Sequence, residues 1–281
     1  MVYNMKVIRE PSVSGSFYPR NPLILNRDIE EYIKQADVVP IKGDIKGIIS
    51  PHAGYMYSGP VAAYGYKSIS NGVYDTVIIL APSHRYYMEG ASVMDKGGYR
   101  TPLGIVDIDE ETAGAILKKD KIISNNLEPH KSEHSLEVQL PFLQFVLGRF
   151  KLVPIIMAGS DIDICEALSS IVYDTIKDSP KRFLIVGSTD LSHYYSYKKA
   201  LELDGVVVEH IDNFNINGLI RDLRNGRYEA CGAGPMIVTM MLSKMMGADS
   251  SKVLKYANSG DVSGDKSAVV GYVSSVFYKG L

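Results

Sequence analysis

Several features are scarce in this 281-residue chain, and each scarcity removes a class of protein. There are two cysteines, Cys165 and Cys231, too few for a disulfide framework and in keeping with reduced thiols in the cytoplasm. No stretch approaches the ~18 consecutive apolar residues of a membrane span. The opening MVYNMKVIREPSVSG lacks the apolar core of a secretory signal, so a cytoplasmic protein without membrane contact is expected. An excess of one charge is missing too: 30 basic and 32 acidic residues give a formal net charge of -2, which offers no footprint for nucleic acid. Tryptophan is absent, an absence that identifies no ligand, while 46% apolar and 22% charged residues exclude disorder. The expected partner is a small-molecule or peptide ligand, or another protein.

No repeat, low-complexity tract or linker breaks the chain, and strand-like and helix-like segments alternate to its end. This predicts a single α/β domain over residues 1–281, with a central mostly parallel or mixed sheet flanked by helices. The apolar runs Ile45–Ser50, Thr76–Ala81, Val153–Ala158 and Phe183–Gly187 read as buried parallel strands. Ser58-Gly59-Pro60 reads as the start of a helix, with serine as cap and proline in the first turn. Ala91–Met94 and Ile105–Asp107 read as a local hairpin, Ser135–Leu147 as a helix kinked or delayed by Pro141, and Ile162–Ile176 as another helix. Gly234–Met246 is apolar on nearly all sides, so its methionines are expected to pack in a core helix. Val253–Asn258 and Ala268–Phe277 close the chain as strands. The turn between them, from Asn258 to Asp265, reads as either an ordinary loop or a site wall.

Three of the six histidines stand just after such runs: His52 in Pro51-His52, His84 in Pro82-Ser83-His84, and His193 in Asp190-Leu191-Ser192-His193. The carboxyl ends of parallel strands converge on the ligand crevice of an open α/β sheet, so these imidazoles can meet although far apart in sequence. Cys231, in a glycine-rich turn leading into a helix, is placed to feel the positive end of a helix dipole, which would lower its pKa and favour the thiolate. Imidazole and thiolate together suit zinc, copper or iron. The plainer alternative is that each histidine merely packs. Asp190 reads as a partner of His193 that fixes its tautomer and raises its pKa, against the bland reading of a turn in which Asp190 caps an amide. Cys165, inside a helical pattern, reads as packed.

Two other motifs point elsewhere. His130-Lys131-Ser132-Glu133-His134 has the His-x-x-Glu-His spacing of an inverted zinc peptidase, which needs both imidazoles on one helix face. Pro129, with Ser132 or Ser135 as a cap, starts a helix inside or after the motif, so that face is not expected, although Glu133 and His134 can line a pocket. Ser188, Asp190 and His193 cluster in sequence, but the Gly-x-Ser-x-Gly elbow of a serine hydrolase is missing.

The motifs taken together resemble the Memo family, named for a mediator of receptor-driven cell motility. The ordered matches are Arg9-Glu10-Pro11-Ser12-Val13-Ser14-Gly15-Ser16-Phe17-Tyr18-Pro19, Pro51-His52-Ala53-Gly54-Tyr55 with Tyr57-Ser58-Gly59, Pro82-Ser83-His84 and Thr101-Pro102-Leu103-Gly104. They continue with Glu133-His134-Ser135-Leu136-Glu137-Val138-Gln139-Leu140-Pro141-Phe142, Asp190-Leu191-Ser192-His193-Tyr194, Cys231-Gly232, Asn258-Ser259-Gly260-Asp261 and Val270-Gly271-Tyr272.

The resemblance implies a fold similar to class III extradiol dioxygenases, which use non-haem Fe(II). By motif, His52, His84 and Cys231 look like metal ligands and His193 like the acid/base histidine; beside that resemblance, Asp190 is expected to orient His193, and Tyr55, Glu133 and His134 to line the substrate pocket. Fe(II) is the foremost metal, with copper or zinc as alternatives, and Met236 is an axial-ligand candidate by proximity in sequence alone. A thiolate stands where the dioxygenases carry a glutamate, so ring cleavage does not transfer directly. The resemblance also implies functional association with a radical SAM protein. It leaves two expectations: an oxidoreductase-like metalloenzyme, or a non-catalytic peptide- or protein-binding scaffold that uses the old crevice.

Overall fold

The computed structural model describes residues 7–281. Four strands rich in β-branched residues, Gly43–Ser50, Phe183–Ser188, Thr76–Pro82 and Lys151–Met157, lie side by side in that spatial order, and each pairing among them is parallel. Continuous apolar runs suit strands covered on both faces. Every residue of Thr76–Pro82 and Phe183–Ser188 is buried. Antiparallel strands extend the sheet: Val269–Gly280 beside Gly43–Ser50, with Ser250–Asn258 and His193–Tyr195 joined to it, and Ala91–Val93 beside Lys151–Met157. The result is a mixed sheet of one α/β domain.

Alternation along Gly43–Ser50 shows that helices cover both faces. A side chain on Gly47 would run into Ser243 of the helix Ala233–Met245, whereas the neighbouring Ile48 points the other way, toward Gly65 of the helix Tyr55–Ile69. Ala233–Met245 is buried on nearly all sides; Met236 and Met240 pack fully and Met241 partly, as the sequence suggested, whereas Met245 at the end of the helix is exposed. Ile162–Ile176 packs against it and encloses Cys165, which is fully buried.

Three local readings need correction. The helix expected at Ser58 begins at Tyr55, with Gly54 as cap, and Pro60 lies inside it. The Tyr55 amide donates to the Phe17 carbonyl, and the Ser58 hydroxyl turns back to Ala53, so a tertiary contact overrides the local start signal. The expected hairpin of Ala91–Met94 with Ile105–Asp107 does not form. Ala91–Val93 joins the large sheet, and Gly104–Asp107 pairs with Gly98–Thr101 in a separate three-stranded sheet completed by Ile8–Arg9. The turn after Asn258 is not an ordinary loop but contains a short helix, Ser259–Ser263, closed by a capping box between Asn258 and Asp261.

The small sheet docks the N-terminal arm into the body of the protein. Arg9, 6% exposed, enters a buried cluster around Glu137, Tyr99 and His130. The Ser92 hydroxyl donates to the Asn126 carbonyl and therefore accepts from His130 Nε2 at 3.1 Å. That leaves Nδ1 to accept the Tyr99 hydroxyl at 2.6 Å. Burial, with the Arg9 charge adding to it, lowers the His130 pKa to about 3. Between about pH 6.5 and 3 the unfolded chain thus binds a proton here that the folded chain refuses, so this contribution to stability is complete above pH 6.5 and is lost as pH falls. Denaturant unfolding at pH 7 and pH 5 should show wild type losing more stability than His130→Gln, with a slope difference approaching ~1.4 kcal/mol per pH unit. Identical slopes would contradict the assignment of a neutral, buried His130.

Candidate metal centre

Parallel register brings the site together. Ser50 lies opposite Ser188, and Leu80 opposite Gly187, so the chain leaves three adjacent strands at one level. The next few residues are Pro51-His52, Ser83-His84 and Thr189-Asp190. Cys231 comes to the same place from the turn just ahead of the helix Ala233–Met245. One ligand atom each from His52, His84 and Cys231 lies within 4.8 Å of the others. Cys231 Sγ stands 3.1 Å from His52 Nε2, and the His52 and His84 rings meet edge to face at 5.1 Å. His52 forms the floor at 2% exposure, and the His84 side chain, at 29%, reaches the rim.

Hydrogen-bond partners fix which ring nitrogens are free. Ser188 Oγ donates its one proton to the Ser135 carbonyl at 2.7 Å, so it can only accept from His52 Nδ1, 2.8 Å away. Gln139 Nε2 donates to the same hydroxyl at 2.9 Å and to the Pro51 carbonyl at 3.0 Å. His84 Nδ1 donates to Glu133 Oε1 at 2.9 Å while its main-chain N–H donates to Oε2 at 2.6 Å. The Leu191 carbonyl takes the Nδ1 proton of His193 at 2.7 Å. In its neutral form each of the three imidazoles therefore carries its proton on Nδ1, the tautomer that leaves Nε2 free to bind a metal or accept a proton.

Glu133 is the hub that sequence reasoning undervalued as a pocket wall. It caps the short helix His134–Glu137, accepting the amides of His134 and Ser135 at 3.0 Å, the capping role expected of Ser132 or Ser135. Burial by itself would raise its pKa, but the His84 ring and main chain and the Ser135 amide outweigh it and hold the carboxyl near about 2. A Glu-His pair at a helix start was the available signal for this role. Ser188 and Gln139 had none, because their function depends on which strands are neighbours.

The remaining residues fall differently from expectation. Asp190 does not pair with His193: its carboxylate accepts the His52 amide at 2.7 Å, and His193 N–H instead points to Glu229 at 3.2 Å. Because Ser50 and Ser188 are level, Asp190 meets His52 before its own chain neighbour. Tyr55 is buried, with its hydroxyl donated to the Val138 carbonyl at 2.6 Å, so it braces the core below the site. His134 is near the proposed ligands, stacked on His84 at 4.7 Å, and the Phe17 ring lies tilted against it at 4.9 Å. His130 sits apart in its own cluster, so the two imidazoles of the peptidase-like motif do not converge.

Burial dominates the electrostatics. It lowers the His52 pKa well below 6.5, helped by His84, His134 and His193, and it lowers His134 to about 4. Asp190 is raised to about 7 by burial despite amide hydrogen bonds from His52 and Ala53. The Cys231 thiol is also pushed well up, by burial first and by Asp190 second. This overturns the expected dipole-lowered thiol. A helix terminus is worth about 0.3–1 kcal/mol, whereas removing a charge from water costs several.

An α/β protein with clustered histidine and cysteine donors at its strand ends is thereby defined. The Memo-like protein family model matches residues 9–276. MEMO1 family proteins of Methanopyrus kandleri and Sulfolobus acidocaldarius are each 39% identical, over 97% and 96% of this chain and 99% of their own lengths. One from Methanothermobacter thermautotrophicus is 38% identical over 95% of this chain and 99% of its own. The chain belongs to the Memo family. No helix among its described residues is long and apolar enough to cross a membrane.

Gly232 sets how closely the cysteine loop approaches the strand end. An added Cβ would stand 2.2 Å from the Ser188 carbonyl oxygen and 2.7 Å from Thr189 Cβ, atoms that cannot give way. Gly232→Ala should lose roughly 1–3 kcal/mol in thermal or denaturant unfolding and speed alkylation of Cys231. Cys165 is buried and inert, and would not obscure the readout. Wild-type stability with an unchanged alkylation rate would show that the loop adapts.

Proposed function

We propose that His52, His84 and Cys231 hold one transition metal, Fe(II) foremost and copper or zinc as alternatives, in a fold related to the class III extradiol dioxygenases. The reading rests on one observation: a buried imidazole, His52, and one at the exposed rim, His84, present Nε2 beside a sulfur, each with Nδ1 committed to a protein acceptor. The donors fit such an ion chemically. Burial disfavours the Cys231 thiolate, and a divalent cation reverses that preference, since a coordinated thiol is deprotonated outright. Neutral histidines and a thiolate suit iron, copper and zinc, and the donor types alone do not choose among them.

The proposed activity is oxidoreductase chemistry on a small substrate. A bound metal would supply Lewis acidity and, for iron or copper, electron transfer. The chain's own residues divide the remaining tasks. Glu133 and Ser188 hold the two imidazoles in one tautomer and orientation. His193, with Nδ1 fixed on Leu191 and Nε2 free, takes or returns a proton. Asp190 holds the His52 main chain and lies against Cys231, so it tunes the floor of the site and does not orient His193.

Protein purified without oxygen should carry about one metal ion per chain by elemental analysis, with EPR and absorption identifying the element. Cys231→Ser should weaken metal affinity at least about tenfold, within the range known for loss of a ligand or its support. Full loading of that variant would overturn the ligand set. A partner peptide bound equally well before and after chelation would instead favour a scaffold that uses the crevice without metal.

A further inference from the structure

Arg9 lies far from the three donors in sequence, yet its guanidinium ends directly behind the residue that grips His84. Nη2 donates to the Glu133 carbonyl at 2.6 Å and to Ser12 Oγ at 3.0 Å, Nε to the His130 carbonyl at 2.9 Å, and Nη1 to Glu137. Glu137 is fully buried. Besides Arg9 it accepts the Ser12 amide at 2.8 Å, the Ser12 hydroxyl at 2.9 Å, the Val13 amide at 3.1 Å and the Tyr18 hydroxyl at 2.5 Å. The N-terminal arm is thus tied through one ion pair to both ends of the helix His134–Glu137, whose cap is Glu133.

We infer that Arg9 is a positioning residue for the metal centre: its planar fork fixes the Glu133 turn and, through the Glu133 carboxylate, the tautomer and orientation of the His84 imidazole.

Three features support this. A buried ion pair is weak as a source of stability, because an apolar replacement of similar volume commonly does as well, so its geometry needs another explanation. Glu133 is the single extended residue between the helices Glu128–Ser132 and His134–Glu137, with φ -75° and ψ 127°. Arg9 holds the carbonyl of His130 in the preceding helix and that of Glu133 at the break itself. Its donors diverge in a rigid plane onto four acceptors, an arrangement that a lysine ammonium does not reproduce. Outer partners of metal-binding histidines commonly change metal affinity about 10–100-fold when lost. Arg9 stands one step further out and acts through Glu133.

The inference rests on the proposed metal site for its affinity readout and on His84 alone for its second readout. In the metal-free protein, ring-15N histidine spectra should show His84 as a single Nδ1–H tautomer. Arg9→Lys should convert it to a mixture, leaving His193 unchanged. Co(II) titration of the same proteins should give a thiolate charge-transfer band in wild type and affinity about tenfold weaker in Arg9→Lys. Glu137→Gln, which keeps the shape of the acceptor and releases the guanidinium, should move both readouts in the same direction and serves if Arg9→Lys does not fold. A core control, Ile156→Val, should lower stability and move neither. A single His84 tautomer in both Arg9→Lys and Glu137→Gln, with Co(II) affinity within twofold of wild type, would overturn the inference while leaving the ligand set intact. Absence of a Co(II)–thiolate band in wild type would refute the ligand set, and the tautomer spectra would still decide the role of Arg9.

Discussion

The level register of the strands Gly43–Ser50 and Phe183–Ser188 is the constraint from which the site follows. Pairing Ser50 with Ser188 puts the Asp190 carboxylate on the His52 amide, and it sets the Ser188 hydroxyl against His52 Nδ1. A slip of one residue would turn the side chains of an entire strand to the opposite face, breaking both contacts. It would also drive a side chain into the helix Ala233–Met245 where Gly47 now leaves room. The same pairing that builds the core therefore aligns the donors.

Much of the architecture is legible in the sequence because it is encoded locally. Ile, Val and Leu runs bounded by Pro, Gly and Ser announce the parallel strands, and three histidines just beyond them announce where chemistry can collect. Sequence pattern fails where the deciding partner is distant. Tyr55 sits beside His52 in a shared motif, but the Phe17 carbonyl starts the helix at Tyr55 and turns its ring into the core. Asp190 sits three residues from His193, but the neighbouring strand supplies a closer donor. Arg9 and Glu137 meet across nearly half the chain through a small sheet whose existence depends on Gly98–Thr101 pairing in two directions.

The buried carboxylates behave oppositely for a common reason. Glu133 and Asp190 are both nearly inaccessible, yet the first is held near about 2 and the second near about 7. Burial raises both. Glu133 is surrounded by the His84 ring and main chain and the amides of a helix start, enough donors to outweigh desolvation. The Asp190 carboxyl has burial to offset and only the amides of His52 and Ala53 as donors. The site thus has one carboxylate under His84 that its donors keep ionised well into the acid range, and one carboxyl at the floor that burial pushes toward the protonated form.

This asymmetry bears on the other chemistry that a cysteine beside a histidine suggests, nucleophilic catalysis by a thiolate–imidazolium pair. Such a pair needs the imidazole to take the thiol proton and stay charged. Here His52 is walled off from water and faces His84, His134 and His193, so its protonated form is disfavoured by burial and then by each neighbour in turn. Its Nδ1 is occupied by a hydroxyl, not by a carboxylate that would steady the positive charge. A metal cation asks the reverse of the same residues. It needs His52 neutral, as burial keeps it, and it stabilises the Cys231 thiolate with a charge that does not have to come from the ring. The environment that makes His52 a poor base for its neighbouring thiol is the one that would suit it to the proposed role of ligand.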